Sequence, residues 1–436
     1  MLGGAGRDAT RPRLETGVRM RNVGVDDLAR AVETLAGSGS EDHPAAWPRV
    51  VTSGNAAVPF TALAVVDRAL PRYRLNVLNA PHGIPAREGV VHETSFVGVG
   101  MRRSPALAYV PSRLSMVPEL WARRLPPTLV VLHTTTPRGG RVSLGVEVNV
   151  LPAAVEQVRA RGGLVVAQLN PRMPYTYGDA ELDVDLIDLA VEVDDPLPVH
   201  AAAPLDESAC LIGERVATRV PDGASLQAGI GAVPDAALAG LTRRRDLRVW
   251  TEMFSDGVLG LERAGALDAG HPLTASFLFG SEELYQWVDG NERVVMRRTE
   301  IANDPATIAR QRAMTSVNTA LQVDLFGQVN ASRVGTRIHS GFGGATDFLV
   351  GALHSDGGQA LVALRSWHPR ADVSTIVPLL DQPATSFQPS AVVTEHGVAP
   401  VWGHDEREQA RTLIELAAHP RVREELREEA RYLGLG

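Results

Sequence analysis

The chain contains one internal repeat, which constrains its fold more than any other feature. Residues 54–64 read GNAAVPFTALA and residues 229–239 read GIGAVPDAALA, so seven residues recur in register, 175 positions apart. Each copy follows a short stretch with strand potential and runs into Ala- and Leu-rich sequence typical of a helix. The glycines permit a tight turn, and Pro59 and Pro234 suit a first helical turn, where a missing N–H costs nothing. Each copy is therefore predicted to fold as a strand, a glycine turn and a helix.

Further strand-like stretches alternate with helical patterns along the chain. The predicted strands are Arg49–Ser53, Leu75–Asn79, Leu129–His133, Leu164–Leu169, Leu189–Val193, Ala224–Ala228, Leu247–Thr251, Leu361–Leu364 and Ala391–Thr394. Such alternation implies mainly parallel sheets covered by helices. Together with the repeat, it predicts two similar α/β domains, 1–205 and 206–436, joined near the Pro- and Ala-rich stretch Val199–Asp206. Chance similarity between two common strand–turn–helix units is the alternative explanation.

Composition excludes several kinds of chemistry. The chain has 436 residues and no lysine, so all 43 residues counted as Lys or Arg are arginines. The lack of lysine excludes a Schiff-base lysine and a P-loop lysine. The single cysteine, Cys210, excludes an intrachain disulfide and a cysteine-rich metal site. HExxH and GxSxG are also absent, and we expect no metal ion.

Charge and hydropathy indicate which partners the protein lacks and where in the cell it is located. A formal net charge of −8 and dispersed arginines argue against a nucleic acid or an anionic membrane as partner. No stretch approaches the roughly 18 apolar residues of a membrane span, and residues 1–20 lack the apolar core of a signal peptide. We therefore expect a cytoplasmic protein.

One carboxylate distinguishes the two copies of the repeat. Ligands of open parallel sheets bind beyond the carboxyl ends of the strands. The strand that follows the second copy ends in TEMFSDG, residues 251–257, whereas its counterpart ends in NAPHG, residues 79–83. Aligning the two strands puts Ala80 in the place of Glu252. Ser255 or Asp256 could simply cap the next helix, but this leaves Glu252 unexplained and makes it the candidate active-site residue.

Two glycine segments are candidates for ligand contacts. The turn Gly229–Pro234 has proline where a dinucleotide fingerprint needs its third glycine, which argues against NAD binding. Its backbone N–H groups could still hold a polar part of a ligand. The segment Ser340–Ala345, SGFGGA, could place N–H groups against an oxyanion. A flexible connection is the alternative for this segment.

Seven segments together resemble the acetyl-CoA hydrolase/transferase family, which includes 4-hydroxybutyrate and succinyl-CoA:acetate CoA-transferases. They are Leu226–Leu238, Thr251–Val258, Ala302–Ala309, Ser316–Asn330, Ser340–Phe348, Val393–Ala399 and His419–Leu426. Weaker similarities lie at Pro174–Asp179 and Asp183–Asp188. The ordered motifs of the C-terminal half make this resemblance specific.

The resemblance implies two CoA-transferase-like domains with the active site between them. It implies that Glu252 is a nucleophile that forms a glutamyl-CoA thioester, and that Asn303 and Gly344 help to form the site and its oxyanion hole. The positions expected to contact CoA are Gln227, Gly229, Ile230, Gly231, Ala232, Val233, Ser340 and Gly343. The substrates would be an acyl-CoA and small carboxylic acids, with no permanently bound cofactor. We also expect a homo-oligomer, namely a dimer.

Departures from the family pattern leave the acyl substrate and the CoA phosphate contacts open. Ala345 stands where many relatives have glutamine, Trp402 where they usually have arginine, and no lysine follows the predicted strand that ends at Leu364. Two alternative functions therefore stay open at this point: an acyl-CoA hydrolase on the same scaffold, and a non-catalytic acyl-CoA-binding protein. Dependence on an acceptor acid separates the three functions, because a transferase requires the acid, a hydrolase turns over without it, and a binding protein does not turn over at all.

Overall fold

Two large sheets form the framework of the computed structural model, which describes residues 20–36, 43–200, 204–229, 231–384 and 388–436. The strands, in chain order, are β1 (Arg21–Asn22), β2 (Arg49–Thr52), β3 (Tyr73–Asn76), β4 (Val90–Thr94), β5 (Leu107–Tyr109), β6 (Leu129–Thr134), β7 (Arg141–Ser143), β8 (Leu164–Leu169), β9 (Tyr177–Gly178), β10 (Glu181–Asp183), β11 (Leu189–Glu192), β12 (Ser225–Ala228), β13 (Arg248–Trp250), β14 (Met253–Phe254), β15 (Leu273–Ala275), β16 (Phe277–Leu278), β17 (Val294–Met296), β18 (Thr315–Asn318), β19 (Gln322–Asp324), β20 (Val329–Asn330), β21 (Arg333–Val334), β22 (Arg337–Ile338), β23 (Gln359–Ala363), β24 (Trp367–His368), β25 (Val373–Ser374), β26 (Ile376–Val377), β27 (Ala391–Val393) and β28 (Val398–Pro400).

Helices cover both sheets. They are α1 (Val25–Glu33), α2 (Phe60–Ala69), α3 (Val117–Arg123), α4 (Leu151–Ala160), α5 (Glu207–Arg219), α6 (Ala232–Gly240), α7 (Asp256–Arg263), α8 (Glu282–Val288), α9 (Thr299–Ala302), α10 (Pro305–Ala309), α11 (Ala345–His354), α12 (Glu406–Thr412) and α13 (Arg423–Tyr432). Short 3-10 turns lie at Pro44–Ala46, Asn55–Ala57, Leu114–Met116, Val184–Leu186 and Pro420–Val422, and a π-helical turn at Leu413–Ala417. Within the described ranges, no helix is long and apolar enough to cross a membrane.

The central strands are apolar along their whole length because both faces of each sheet are covered. In β6 (LVVLHT) every residue is buried, and in β8 (LVVAQL) all but the first are buried. Continuous Val- and Leu-rich runs are typical of parallel strands with helices on both sides. The sheets therefore sit inside the protein, and their polar groups appear mainly at the strand ends.

The two sheets share one topology. The first runs β1-β11-β8-β6-β2-β3-β4-β5, and the second runs β28-β27-β23-β18-β12-β13-β15-β17-β9. Numbered by order along the chain, seven strands of each sheet follow the same sequence, 7-6-5-1-2-3-4, from β11 to β5 and from β27 to β17. All neighbours within these seven strands pair in parallel. The predicted fold class, two similar and mainly parallel α/β units, is confirmed.

The repeat occupies equivalent places in these units. Its first copy connects β2 through a 3-10 turn to α2, and its second connects β12 to α6. In each unit the next strand pairs in parallel with the strand before the turn. Each of the nine predicted strands overlaps an observed one, although the stretch predicted as Leu75–Asn79 is the strand Tyr73–Asn76.

The predicted boundary after residue 205 stays a prediction. The strand β9, Tyr177–Gly178, precedes that boundary and yet pairs with β17 at the edge of the second sheet. The chain therefore contributes to the second sheet before the predicted second domain begins. Residues 201–203 of the predicted connection lie outside the described residues.

A buried ion-pair cluster connects the strands of the first sheet. Glu93 on β4 is 1% exposed and accepts hydrogen bonds from Arg49 on β2, at 2.5 and 3.1 Å, and from Arg74 on β3, at 2.7 Å. Burial alone would raise the pKa of Glu93, but the bonds and charges of the two arginines outweigh it and lower this pKa below its ordinary value. The cluster therefore holds three adjacent strands together as long as Glu93 is ionised.

We predict that Glu93→Ala destabilises the protein by about 3–5 kcal/mol, because it leaves arginine charges buried without a partner. Urea unfolding measures the loss, with Glu88→Ala as the control, since Glu88 is exposed on the preceding loop. The stabilisation from Glu93 is present above the ordinary glutamate pKa of about 4.3 and is lost as pH falls through the lower folded-state pKa. Equal unfolding midpoints for the two variants would contradict this account.

Candidate active site

A cavity of about 450 Å³ lies where the carboxyl ends of the two sheets face each other. Residues that line it from the first unit are Asn55, Leu78, Asn79, Phe96, Arg102, Leu114 and Asn149. The second unit contributes Gln227–Gly229, Glu252, Met253, Phe277, Asn318–Leu321, Ala331 and His339–Ala345. A groove of about 520 Å³ near α12 and α13 is larger, but mostly charged surface side chains line it, including the ion pair Arg411–Glu415.

Glu252 lines this cavity and lies in a break between two strands. It lies between β13 and the two-residue strand β14. Its carbonyl oxygen accepts N–H groups from Ser276 at 2.7 Å and from Phe277 at 2.9 Å, while the Thr251 hydroxyl donates to Met253 O at 2.8 Å. These bonds fix the backbone, so the side chain projects from a rigid strand end rather than from a loop.

Asn303 holds the Glu252 carboxylate. It is fully buried at the end of α9, and its Nδ2 donates to Glu252 Oε2 at 2.8 Å. The Thr299 hydroxyl donates to Asn303 Oδ1 at 3.3 Å, which orients the amide with its nitrogen toward the carboxylate. The next residue, Asp304, caps α10 through Ala306 N and Thr307 N, and Pro305 takes the first helical position. The ANDP sequence thus ends one helix, begins another and places the asparagine between them.

Gly344 closes the other side of Glu252. A Cβ at this position would stand 1.8 Å from Glu252 Oε2 and 2.3 Å from Asn303 Nδ2. Any larger residue there would force the Glu252 carboxylate or the Asn303 amide to shift, since real Cβ atoms do not approach other atoms so closely. Gly344 is also the N-cap of α11, whose first N–H groups have no partner within the helix. The structure therefore brings together all three residues predicted to be catalytic.

The glycine segment 340–344 is bound to the first unit through its backbone. Val97 N donates to Ser340 O at 2.8 Å, and Leu114 N donates to Gly343 O at 3.0 Å. Phe96 and Gly341 form an isolated antiparallel β-bridge. A Cβ on Gly341 would stand 2.4 Å from the Ser95 carbonyl oxygen, so this close approach requires glycine. The segment is thus held between the units, not the flexible connection considered above.

Burial sets the protonation of Glu252. It raises the pKa of this carboxyl to about 7, the hydrogen bond from Asn303 opposes the rise, and the nearby Asp347 adds to it. Burial likewise raises the pKa of Asp347, which is 1% exposed, to about 6. At neutral pH Glu252 therefore exists in both protonated and ionised forms, whereas an ordinary glutamate would be almost fully ionised.

Behind the asparagines that line this cavity lies a second buried carboxyl group, which was not predicted from the sequence. Glu147 is 2% exposed and accepts Asn55 Nδ2 at 2.7 Å and Asn149 Nδ2 at 3.4 Å. Asn79 Nδ2 in turn donates to Asn55 Oδ1 at 2.8 Å. Burial raises the pKa of Glu147 to about 8, and the Glu252 charge adds to this rise. One signal was available: Glu147 is the only charged residue in the apolar run Leu144–Ala154.

The three asparagines of this wall share an unusual backbone. Asn55, Asn79 and Asn149 have φ of +47°, +47° and +43°. Asparagine tolerates the left-handed region better than other non-glycine residues because its short polar side chain bonds locally. Such conformations concentrate at functional sites, and here three of them line one cavity.

Strand register corrects the predicted counterpart of Glu252. Asn79 lies three residues beyond Asn76, and Glu252 three beyond Val249. Asn76 pairs with Val51 and Val249 with Leu226, and these two partners, which precede the two copies of the repeat, are also 175 positions apart. The counterpart is therefore Asn79, not Ala80, and it lines the same cavity. The prediction was one residue off because it aligned Leu75 with Leu247, whereas the strand pairs make Arg248 the counterpart of Leu75.

The residues predicted to contact CoA divide into two groups. Gln227, Gly229, Ser340 and Gly343 line the cavity together with Glu252. Gly231, Ala232 and Val233 instead form the cap and first turn of α6 and are not among the residues that line it. Ile230 lies outside the described residues. Within the described residues, no group of three or more His, Cys, Asp and Glu is placed to hold a metal ion.

Comparisons with known proteins show which family and which solved structures this chain is similar to. A family model described as the acetyl-CoA hydrolase/transferase C-terminal domain matches residues 280–430. The chain is 37% identical over 353 residues to the 4-hydroxybutyrate coenzyme A transferase of Clostridium kluyveri, covering 78% of this chain and 81% of that protein. Among solved structures, RipA from Yersinia pestis has a TM-score of 0.84 at 25% identity, over 95% of this chain and 100% of RipA. The 4-hydroxybutyrate CoA-transferase of Porphyromonas gingivalis has a TM-score of 0.76 at 28% identity, over 95% and 98% of the two chains.

We predict that Asn303→Ala raises the pKa of Glu252 further, because the hydrogen bond that opposes the effect of burial is lost. A ¹³C titration of labelled glutamate carboxyls follows this group, and Glu252→Gln identifies its signal. Asn22→Ala is the control, since Asn22 is exposed and bonds Glu192 at the edge of the first sheet. An unchanged or lowered pKa in Asn303→Ala would show that Asn303 does not support the ionised carboxylate.

Proposed function

We propose a reaction for this chain on the basis of its family, since the chain belongs to the acetyl-CoA hydrolase/transferase family. It is an enzyme of CoA transfer or hydrolysis. Within that class, we propose that it moves coenzyme A from an acyl-CoA to a small carboxylic acid through a glutamyl-CoA thioester on Glu252. The observation that carries this proposal is the Glu252 carboxylate, bonded by Asn303 at 2.8 Å and exposed to a cavity between the two units.

In the first half-reaction, a Glu252 carboxylate oxygen attacks the thioester carbonyl of the acyl-CoA. The C–S bond breaks, CoA leaves as a thiolate, and the acyl group is held on Glu252 as a mixed anhydride. The thiolate then attacks the glutamyl carbonyl and the first acid leaves as a carboxylate. The enzyme now carries CoA as a thioester, and one difficult exchange has become a series of easier steps.

In the second half-reaction the same steps run in reverse with another acid. Its carboxylate attacks the glutamyl thioester, the thiolate leaves, and a new mixed anhydride forms. The thiolate attacks the acyl carbonyl of that anhydride, which yields the new acyl-CoA and regenerates the Glu252 carboxylate. One thioester is exchanged for another, so the reaction balances without ATP.

Charge stabilisation in this scheme falls to Asn303 and Gly344. Each tetrahedral intermediate carries an oxyanion, and preorganised N–H groups at such a position typically contribute 10²–10³-fold in rate. The Asn303 amide and the N-terminal end of α11, capped by Gly344, both face the Glu252 carboxylate. The positive end of the helix dipole also favours negative charge there.

The pKa of Glu252 fits a nucleophile that works near neutral pH. Only the ionised form attacks, so the first half-reaction should speed up as pH rises through about 7. Burial that raises this pKa also removes water from the carboxylate and makes it more reactive once ionised.

A transferase and a hydrolase differ in whether an acid or water attacks the intermediate on Glu252. A hydrolase would keep Glu252 but admit water to the mixed anhydride or the thioester, and the family description covers both activities. The convergence of Glu252, Asn303 and Gly344 favours catalysis over mere binding of acyl-CoA. The cytoplasmic location and the homo-oligomeric assembly stay predictions.

We predict that Glu252 becomes covalently attached to CoA. The protein is incubated with an acyl-CoA in the absence of acceptor acid, and borohydride then reduces a glutamyl thioester to an alcohol. Peptide mass spectrometry locates the change at Glu252. Glu252→Gln, which preserves size and weakens the nucleophile, should bind acyl-CoA without labelling.

Two variants control this experiment. Glu292→Gln makes the same chemical change at an exposed residue, and replacement of Ser255 removes a helix cap near Glu252. Both should leave labelling largely intact. CoA exchange by Glu252→Gln at the wild-type rate would contradict the covalent mechanism.

A second prediction concerns Gly344→Ala. Its Cβ must displace the Glu252 carboxylate from Asn303, and a misplacement of about 1 Å can reduce the rate on the order of 10²-fold. Acyl-CoA:acid exchange kinetics measure the effect. Gly260→Ala in α7 is the matched control, because its Cβ meets only open space. Unchanged exchange in a folded Gly344→Ala protein would remove Gly344 from the mechanism.

A further inference from the structure

Glu147 is a buried acid that the proposed chemistry does not use. It belongs to a segment held two backbone steps from Glu252: Val148 N and Asn149 N donate to Ser276 O, and Ser276 N donates to Glu252 O. The groups that shift its pKa are Asn55, Asn149 and Glu252, and no cation is among them within the described residues. A buried carboxyl without a cation is stable mainly in its neutral form.

A neutral Glu147 has an O–H proton that needs an acceptor. Its Oε2 already accepts Asn55 Nδ2 at 2.7 Å, and Asn55 is fixed in turn by Asn79. Its Oε1 faces Asn149 Nδ2 at 3.4 Å, a long contact between two groups. Within the described residues, Asn149 Oδ1 has no hydrogen-bond partner, although Asn149 is only 2% exposed and lines the cavity.

A rotation of the Asn149 amide by 180° gives the Glu147 proton an acceptor and also gives Asn149 Oδ1 a hydrogen-bond partner. The amide oxygen and nitrogen are nearly equal in size, so the rotation has no steric cost. Glu147 Oε1–H then donates to Asn149 Oδ1, and the NH₂ group takes the buried place of the unpartnered oxygen, on a residue that lines the cavity. The free end of this amide is a donor when Glu147 is protonated and an acceptor when it is ionised.

We propose that Glu147 is a positioning residue, which as a neutral acid turns the Asn149 amide so that its NH₂ group receives the carboxylate of the acceptor acid. This assignment rests on the proposed transfer reaction. It gives the cavity two functional walls: Glu252 with Asn303 and Gly344 on the second unit, and an acid-binding amide on the first.

Electrostatics favour the same arrangement. The acceptor acid is an anion, and an ionised Glu147 would repel it while turning the Asn149 oxygen toward it. The titratable groups that face Glu147 are Glu252 and Tyr285, and the pKa of Tyr285 is raised to about 12, so its phenol is neutral. Burial raises the pKa of Glu147 to about 8, which keeps it protonated near neutral pH. Acid binding should therefore weaken as pH rises above that value.

The test separates the two half-reactions of the wild-type enzyme. The kcat/KM for acceptor acid reports on the glutamyl-CoA form, in which Glu252 is esterified and does not titrate. Between about pH 6 and pH 9 small carboxylic acids stay ionised, so a fall in this constant reports on the protein. We expect it to decline about tenfold per pH unit above the pKa of Glu147, as the binding-competent fraction shrinks. A constant that is flat to pH 9 would overturn the proposal.

Variants distinguish positioning from a merely structural role. Glu147→Ala should lower kcat/KM for the acid at every pH, while Glu147→Gln, whose Nε2–H can donate to Asn149 Oδ1 at any pH, should restore it and abolish the alkaline decline. Glu292→Gln, a surface change, should keep the wild-type profile. An alkaline decline that persists in Glu147→Gln would refute the role of Glu147.

A variant of the amide itself provides a second route that does not depend on the folding of Glu147 variants. Asn149→Ala should reduce kcat/KM for the acid about tenfold or more, the usual scale for a lost hydrogen bond to a charged group, while the rate of Glu252 labelling by acyl-CoA is retained. Equal losses in both half-reactions would contradict an acid-specific subsite. Failure of Glu252 labelling in the wild type would instead contradict the transfer mechanism, so the two failures are distinguishable.

Discussion

The short contact between three polypeptide segments around one carboxylate underlies the rest of this structure. Glu252 Oε2 lies 2.8 Å from Asn303 Nδ2 and against the bare Cα of Gly344. This contact requires that the glycine segment be held in place, and backbone hydrogen bonds from the first unit to Ser340 and Gly343 hold it. Residues from the carboxyl ends of both sheets therefore line the cavity, although Glu252, Asn303 and Gly344 all belong to the second unit.

Two buried carboxyl groups, Glu252 on the cavity and Glu147 behind the asparagines that line it, differ in their surroundings and therefore in their roles. Glu252 has the Asn303 amide to support its charge and titrates near neutral pH, while Glu147 has only amide partners on an enclosed wall and stays protonated to a higher pH. Pairs of acids whose environments separate their pKa values commonly mark distinct chemical roles. In our account the ionised acid attacks the thioester, and the neutral acid prepares a place for the substrate anion.

Much of this arrangement could be predicted from the sequence because it is local. The repeat encodes a strand, a turn and a helix twice, and the strand-end position of Glu252 follows from its neighbours in the chain. What could not be predicted from the sequence depends on contacts between distant segments.

Glu147 is 105 residues from Glu252, and its role follows only once the segment 146–149 pairs with residues 276–278. Short strands such as β4 (VVHET) and β18 (TSVN) were missed because their polar residues are satisfied by tertiary partners, and the choice of Asn79 over Ala80 required the strand register.

The central claim is that an oxygen atom of Glu252 takes part in bond making and breaking, and oxygen isotopes test it most directly. Glutamyl-CoA enzyme is mixed with an acceptor acid whose carboxylate carries ¹⁸O, and the peptide containing Glu252 is weighed after one turnover. In the proposed path the bridging ¹⁸O of the mixed anhydride stays on Glu252 when the thiolate attacks the acyl carbonyl, so the peptide should gain one ¹⁸O atom. A peptide without ¹⁸O, despite formation of the new acyl-CoA, would show that the acid never bonded to Glu252 and would contradict the account.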